Sequence, residues 1–323
     1  MRSVLSRLAA WLRRAPPAPD LSAPAGPEAP SSAAVEANDR GHAARDASDL
    51  EAAVLAYGEA ARLAPGWEAA WFNLGIVTKQ SGRWDACRDA CRRALALEPS
   101  EGAWWNLAVA CTALGDWAGA REGWRACGIE VPDGDGPLEM HLGSVPIRVD
   151  PGGSAEVVWC DRIDPARAIV RNVPMPECGR RYGDLVLHDG APNGYRKRGD
   201  REVPVFDELA LLAASGRSTF VVTTDQPTPE DSSALAAAFE AARLPAEDWT
   251  LQVRMICKAC SEGRPHAEGE EHAPDPEWKT SHEVGIAAVS VEPVLAVLSA
   301  WATGGSGRGY GTLELALAGT ASA

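Results

Sequence analysis

Apolar residues change their rhythm along the chain. Over residues 34–133 they recur at three- and four-residue spacing, as in AWFNLGIVTKQSGRWDACRDACRRALALEP (70–99), the period of amphipathic helices. After the DGDG of residues 133–136 the pattern becomes short apolar runs bounded by Gly, Pro, Asn and Asp. LGSVPIRV, SAEVVWCDRI, RAIVRNV, YGDLVLHDG and REVPVFDEL read as strands of a β-rich unit, a small barrel or sheet, over 138–215. Within it, His188–Asp189 reads as a strand end running into a turn over Gly190–Gly194.

From residue 216 to 320 the two periods alternate. STFVVTTD (218–225) predicts a strand, TPEDSSALAAAFEAARL (228–244) a helix, WTLQVRMI (249–256) and HEVGIAAVS (282–290) two strands, VEPVLAVLSAWA (291–302) a helix and YGTLELAL (310–317) a last strand. The order βαββαβ predicts a ferredoxin-like sandwich, an α/β domain with both helices on one face. The fold expected of the whole is therefore multidomain, α followed by α/β.

The helical stretch also repeats itself. AWFNLGIVTKQSGRWDACRDACRRALALEP aligns with AWWNLAVACTALGDWAGAREGWRACGIEVP (103–132), and GHAARDASDLEAAVLAYGEAARLAP (41–65) fits the same frame. Trp71, Leu74 and Gly75 recur as Trp104, Leu107 and Ala108, and the closing proline as Pro65, Pro99 and Pro132. A helix hairpin of this kind cannot bury its apolar stripe alone and must stack on its neighbours. The stretch resembles the tetratricopeptide repeat (TPR) family, as three repeats within 34–136. The first departs from the pattern, with Ala37 and Arg40 where large apolar residues should stand, which predicts a frayed helix or a polar cap.

The resemblance implies a concave groove, lined by the first helices of successive repeats, that takes a protein or peptide segment. By position that groove shows Phe72, Asn73, Ile76 and Lys79, then Trp105, Asn106 and Val109. An array packed on the rest of its own chain, with the groove filled internally, is the alternative. Cys87, Cys91, Cys111 and Cys127 fall where helices approach closely, and free cysteine packs there as a small hydrophobe.

Candidate chemistry is concentrated in CKACSEGRPHAEGEEH (257–272). It lies within a long polar connection between two predicted strands, the Cys/His loop 257–282, which burial alone cannot order. Cys257, Cys260, His266 and His272 supply two sulfurs and two imidazoles, a set suited to a structural, tetrahedral zinc (Zn) ion. His282, Glu270 and Glu271 stand in reserve for the fourth position. Were only three ligands to bind, a glutamate beside a metal-bound water would make a metal-dependent enzyme. The chain holds no G-x-S-x-G, H-E-x-x-H or phosphate loop, so the reading leans away from catalysis.

Charge narrows the partners. A formal net charge of −14 over 323 residues argues against general nucleic-acid binding. Against it stands a local basic stretch, Arg180, Arg181, Arg196, Lys197 and Arg198, with Tyr182 and Tyr195 interleaved, which would suit a polyanion in an RNA- or ribosome-associated protein. Residues 1–14, MRSVLSRLAAWLRR, predict a basic amphipathic helix able to dock on a partner or peripherally on a membrane, and the proline-rich residues 15–33 a linker. With no spanning segment and thiols better matched to a reducing compartment, the expectation is a bacterial-type, cytoplasmic adaptor.

Overall fold

The computed structural model describes residues 29–198, 201–251 and 278–320. The predicted helix 1–14 and the four candidate zinc ligands lie outside these residues.

Six helices form three hairpins: α1 (Ser32–Asp46) with α2 (Leu50–Leu63), α3 (Glu68–Gln80) with α4 (Trp84–Leu97), and α5 (Glu101–Leu114) with α6 (Trp117–Ala126). Side-chain oxygens of Ser31, Asp49, Ser100 and Asp116 cap α1, α2, α5 and α6, each accepting a backbone N–H three residues on. α1 is neither frayed nor delayed. It begins two residues inside the expected linker, and Ala34, Ala37, Asn38 and Gly41 form its buried face. The small Ala37 lets α1 close on Ala60, Ala61 and Ala70.

Each hairpin closes through a tight approach at glycine, Gly41 in the first, Gly75 in the second, and Gly119 and Gly123 in the third. In the second, a Cβ on Gly75 would lie 2.9 Å from Cys91 Sγ, so the helices are spaced for glycine against a small thiol. The thiols are packing groups. Burial pushes Cys111 and Cys127 up to about 12, and Cys91 is raised further by its hydrogen bond with Cys87 and by burial.

Five strands follow: β1 (Gly143–Val149), β2 (Glu156–Arg162), β3 (Arg167–Val170), β4 (Leu185–Arg198) and β5 (Arg201–Ala213). They make a closed barrel in sequence order. Neighbours are antiparallel, and β5 meets β1 in parallel at Ile147 and Phe206, as an odd-numbered meander requires. Val145, Ile147, Val158, Cys160, Val170, Val186 and Phe206 fill it. The expected turn at Gly190–Gly194 does not form. β4 runs through it to Arg198, absorbing extra residues as bulges.

The last unit contains β6 (Ser218–Asp225), α7 (Pro229–Ala241), β7 (Ala246–Asp248), β8 (Ser281–Ala288), α8 (Glu292–Thr303), β9 (Gly309–Tyr310) and β10 (Glu314–Leu317). The sheet order is β10-β6-β8-β7, every pair antiparallel, with β9 added against the end of β6. The strand expected at 249–256 is displaced. β7 ends at Asp248, Trp249–Leu251 form a turn, and 252–256 lie outside the described residues. Thr228 and Asp231 form a capping box on α7, and Arg308 pairs with Asp231 at 2.7 Å.

One sheet face packs on α7 and α8 through Phe220, Val222, Leu235, Phe239, Ile286 and Leu298. Its other face packs on the barrel, where Trp249 lies beside Val173 and donates to the Val173 carbonyl at 3.0 Å. Arg181 adds two bonds to the Ala318 carbonyl. The barrel is thus held between the sheet and the helical array.

Candidate functional site

The seven residues assigned to the groove lie on the first helices of the second and third hairpins, α3 and α5, and the structure divides them. On α3, Phe72, Asn73 and Ile76 are half-buried. Asn73 Nδ2 donates to Asn38 Oδ1 of α1 at 2.9 Å, so the first two hairpins are bridged by an amide pair. Asn38, only 6% exposed, is a member of this strip that the sequence did not announce, because the first repeat departs from the pattern there.

Of the other four, Lys79, Trp105 and Val109 meet residues from beyond the array. Lys79 is 7% exposed, and its Nζ donates to Asp189 Oδ2 of β4 at 2.8 Å. Asn106 and Val109 are buried. Val109 sits in one core with Leu138, Ala166 and Leu187 from beyond the array. Trp105 meets Trp124 edge to face, with ring centroids 4.9 Å apart, and covers Gly190 so closely that a Cβ there would lie 1.6 Å from Cζ2. Phe72, Asn73 and Ile76 therefore stay half-buried without a barrel contact in their core, whereas Lys79, Trp105 and Val109 meet the barrel. The third sector is filled from within, because the barrel offers apolar side chains that α5 has no other means of burying.

Asp189 reaches the array through a bulge. His188 faces Glu208 across the ladder and Pro192 faces Phe206, so three residues on β4 stand where β5 has one. Asp189 Oδ1 accepts the backbone N–H groups of Gly190 at 2.7 Å and Ala191 at 3.3 Å, which leaves Oδ2 for Lys79. Nothing in the sequence signalled this beyond the DG pair.

Behind the bulge, His188 is wholly buried against Phe206. Its Nδ1 faces the Asp189 carbonyl at 2.8 Å. Burial, reinforced by the positive charge of Arg162, lowers His188 to about 3. The ring is neutral, with Nδ1 as the donor.

The basic stretch separates as well. Arg180 pairs with the buried Glu208 at 2.6 Å, and Arg181 is spent on the Ala318 carbonyl. These two brace the fold and do not face a polyanion. Arg196 donates to the Val157 carbonyl at 3.2 Å beside the exposed Tyr195. Lys197 and Arg198 follow on β4, opposite Glu202 and Arg201.

Among the described residues no group of three His, Cys, Asp or Glu side chains could hold a metal ion. His282 loses its reserve role. Its Nδ1 meets Asp248 Oδ2 at 2.7 Å, its Nε2 meets the Lys279 carbonyl, and its ring lies against Trp278. Both nitrogens are bonded to residues that flank 252–277 in the sequence.

No protein-family model matches the chain, and no curated protein matches it. Solved structures of TPR domains are similar to about a third of the chain. The TPR2B domain of yeast Sti1 in its complex with pHsp70 is 26% identical, with a TM-score of 0.29 over 30% of this chain and 78% of that one. The Arabidopsis OM64 TPR domain is 19% identical, with a TM-score of 0.28 over 29% and 79%. The second TPR of Spaghetti (RPAP3), bound to the HSP90 peptide SRMEEVD, is 18% identical, with a TM-score of 0.29 over 30% and 90%. The three stacked hairpins, with Trp71, Leu74 and Gly75 repeated as Trp104, Leu107 and Ala108, make residues 34–133 an array of tetratricopeptide-repeat type.

Proposed function

We propose that the chain is a protein-interaction adaptor whose concave strip over the first two hairpins takes an extended segment of a partner. One observation carries this reading: the half-exposed strip of Phe72, Asn73 and Ile76 keeps its polar side chain in a bond with Asn38, while the same face of the third hairpin is closed. A side-chain amide can pair with the N–H and C=O of an extended backbone, and flanking apolar side chains add burial. A photo-crosslinking residue at Phe72 tests it. The expected result is one segment captured from Phe72 and none from Leu97, an exposed residue at the end of α4; equal capture from both would sink the reading.

The remainder of the chain serves this adaptor as a platform. A division into 34–136, 138–215 and 216–320 is supported by the order of the elements, six helices, then five barrel strands, then a mixed sheet with two helices. A ferredoxin-like reading of the last unit is supported by the β10-β6-β8-β7 order and by helices on one sheet face. Zinc at Cys257, Cys260, His266 and His272 remains part of the proposal, and with His282 bonded elsewhere Glu270 and Glu271 are the reserve ligands. Metal analysis of the purified protein should give one equivalent, lost in Cys257→Ser; none would remove the staple.

A further inference from the structure

The seam between array and barrel contains a segment placed as a ligand would be. Asp189, Gly190 and Ala191 stand out of the β4 ladder, and such a bulge re-aims side chains away from the sheet. The carboxylate meets Lys79, the basic residue of the groove set, and the residue after it can only be glycine, because the Trp105 indole occupies the space of a Cβ. The third sector is therefore complementary to an acidic residue followed by glycine.

Two features let this occupant exchange. Asp189 Oδ1 accepts the N–H groups of Gly190 and Ala191, so these two amides keep their partner when the bulge lifts, and the barrel bond that lifting breaks is the one from His188 Nδ1 to the Asp189 carbonyl. The ion pair lies at the rim of the seam, with side chains 9% and 19% exposed, while Val109, Leu138, Ala166 and Leu187 hold array and barrel together deeper in. Removing the bulge would leave one unpaired charge, that of Lys79, and an incoming carboxylate restores its partner.

We propose that the Lys79–Trp105 sector is a docking site for an Asp-Gly turn of a partner protein, and that residues 189–191 are its tethered occupant. This rests on the reading of the concave face as a protein-binding surface, and it names the chemistry and the regulation of that surface. A tethered occupant acts at an effective concentration of the order of millimolar, so a free segment binds measurably only when it gains from further contacts or when the tether is disabled.

The test uses the full chain and a fluorescent peptide copying residues 187–194, LHDGAPNG. Gly190→Val should drive the bulge from under Trp105 and raise peptide affinity about tenfold or more over the parent. Adding Lys79→Ala should return it to the parent value, and a peptide with Asn for Asp should not bind. Asp189→Lys is a second route to the same vacancy. If both variants melt cooperatively and neither binds better than the parent, the inference is overturned.

Should neither variant fold, hydrogen exchange on the parent decides. Amides of 189–191 exchanging about tenfold or more faster than those of β2 support an opening bulge, and equal protection overturns it. Loss of these effects with Phe72 crosslinking intact removes only this inference. The converse removes the groove over the first two hairpins.

Discussion

Phe72 with Asn73 and Trp105 with Asn106 occupy equivalent places in successive repeats, and their surroundings differ. Asn73 is half-exposed and bonded to Asn38, whereas Asn106 is buried. Ile76 is half-buried, while its counterpart Val109 is fully buried in a core shared with Leu138, Ala166 and Leu187. A repeat fixes which side chains line the concave face. What that face meets is set by the chain that folds against it, so equivalent residues can serve recognition in one hairpin and cohesion in the next.

The sharpest way to break this comparison is truncation of the two aromatics. Trp105→Ala should cost about 3 kcal/mol, because it empties the contact with Trp124 and Gly190 in a seam that cannot collapse freely. Phe72→Ala, from the half-exposed strip, should cost about 1 kcal/mol and act on binding instead. Chemical denaturation of both variants measures the difference, and equal losses would mean the strip is as structural as the seam.

Next comes the ion pair. Lys79→Ala leaves Asp189 partly buried without its cation but with two backbone N–H bonds, which sets the cost at about 2 kcal/mol, below that of breaking a fully buried pair. A double-mutant cycle with Asp189→Ala reads the coupling directly.

A pH scan examines the barrel side of the seam. His188 binds a proton near 6.5 when unfolded and only near 3 when folded, so the unfolded state takes up the proton first and stability falls as pH drops from about 6.5 towards 3. At pH 5 this amounts to about 2 kcal/mol. Melting temperatures of the parent should drop between pH 7.5 and 5, and His188→Leu should flatten that drop.

The smallest effect on folding is expected at the amide pair. Asn73→Ala should cost about 1 kcal/mol, since it leaves the buried Asn38 amide with one partner fewer. It should lower capture of a partner at Phe72 several-fold. A stability loss as large as that of Trp105→Ala would place Asn73 in the structural class.

Helix hairpins were legible in the sequence because each is a local solution. Spacing, capping residues and the Trp71/Trp104 frame lie within one repeat. Strands β1, β2 and β6 were legible for the same reason, each being a short apolar run between turn residues. The β4 bulge was not, because DG is also the signature of a turn, and only pairing with β5 tells a bulge from an end. Arg180 and Arg181 looked like a surface patch for a similar reason: Glu208 and the Ala318 carbonyl are 28 and 137 residues away along the chain.

By itself the sequence determined that residues 34–133 form three helix hairpins, with Phe72, Asn73, Ile76 and Lys79 on one first helix and Trp105, Asn106 and Val109 on the next, since period and repeat are local properties. Only the tertiary structure decided that Lys79, Trp105 and Val109 meet the barrel, and that the buried Asn38 holds Asn73. The physical reason is distance along the chain. Lys79 meets Asp189 across 110 residues, and no local pattern encodes a contact that exists only when two separately ordered surfaces are pressed together.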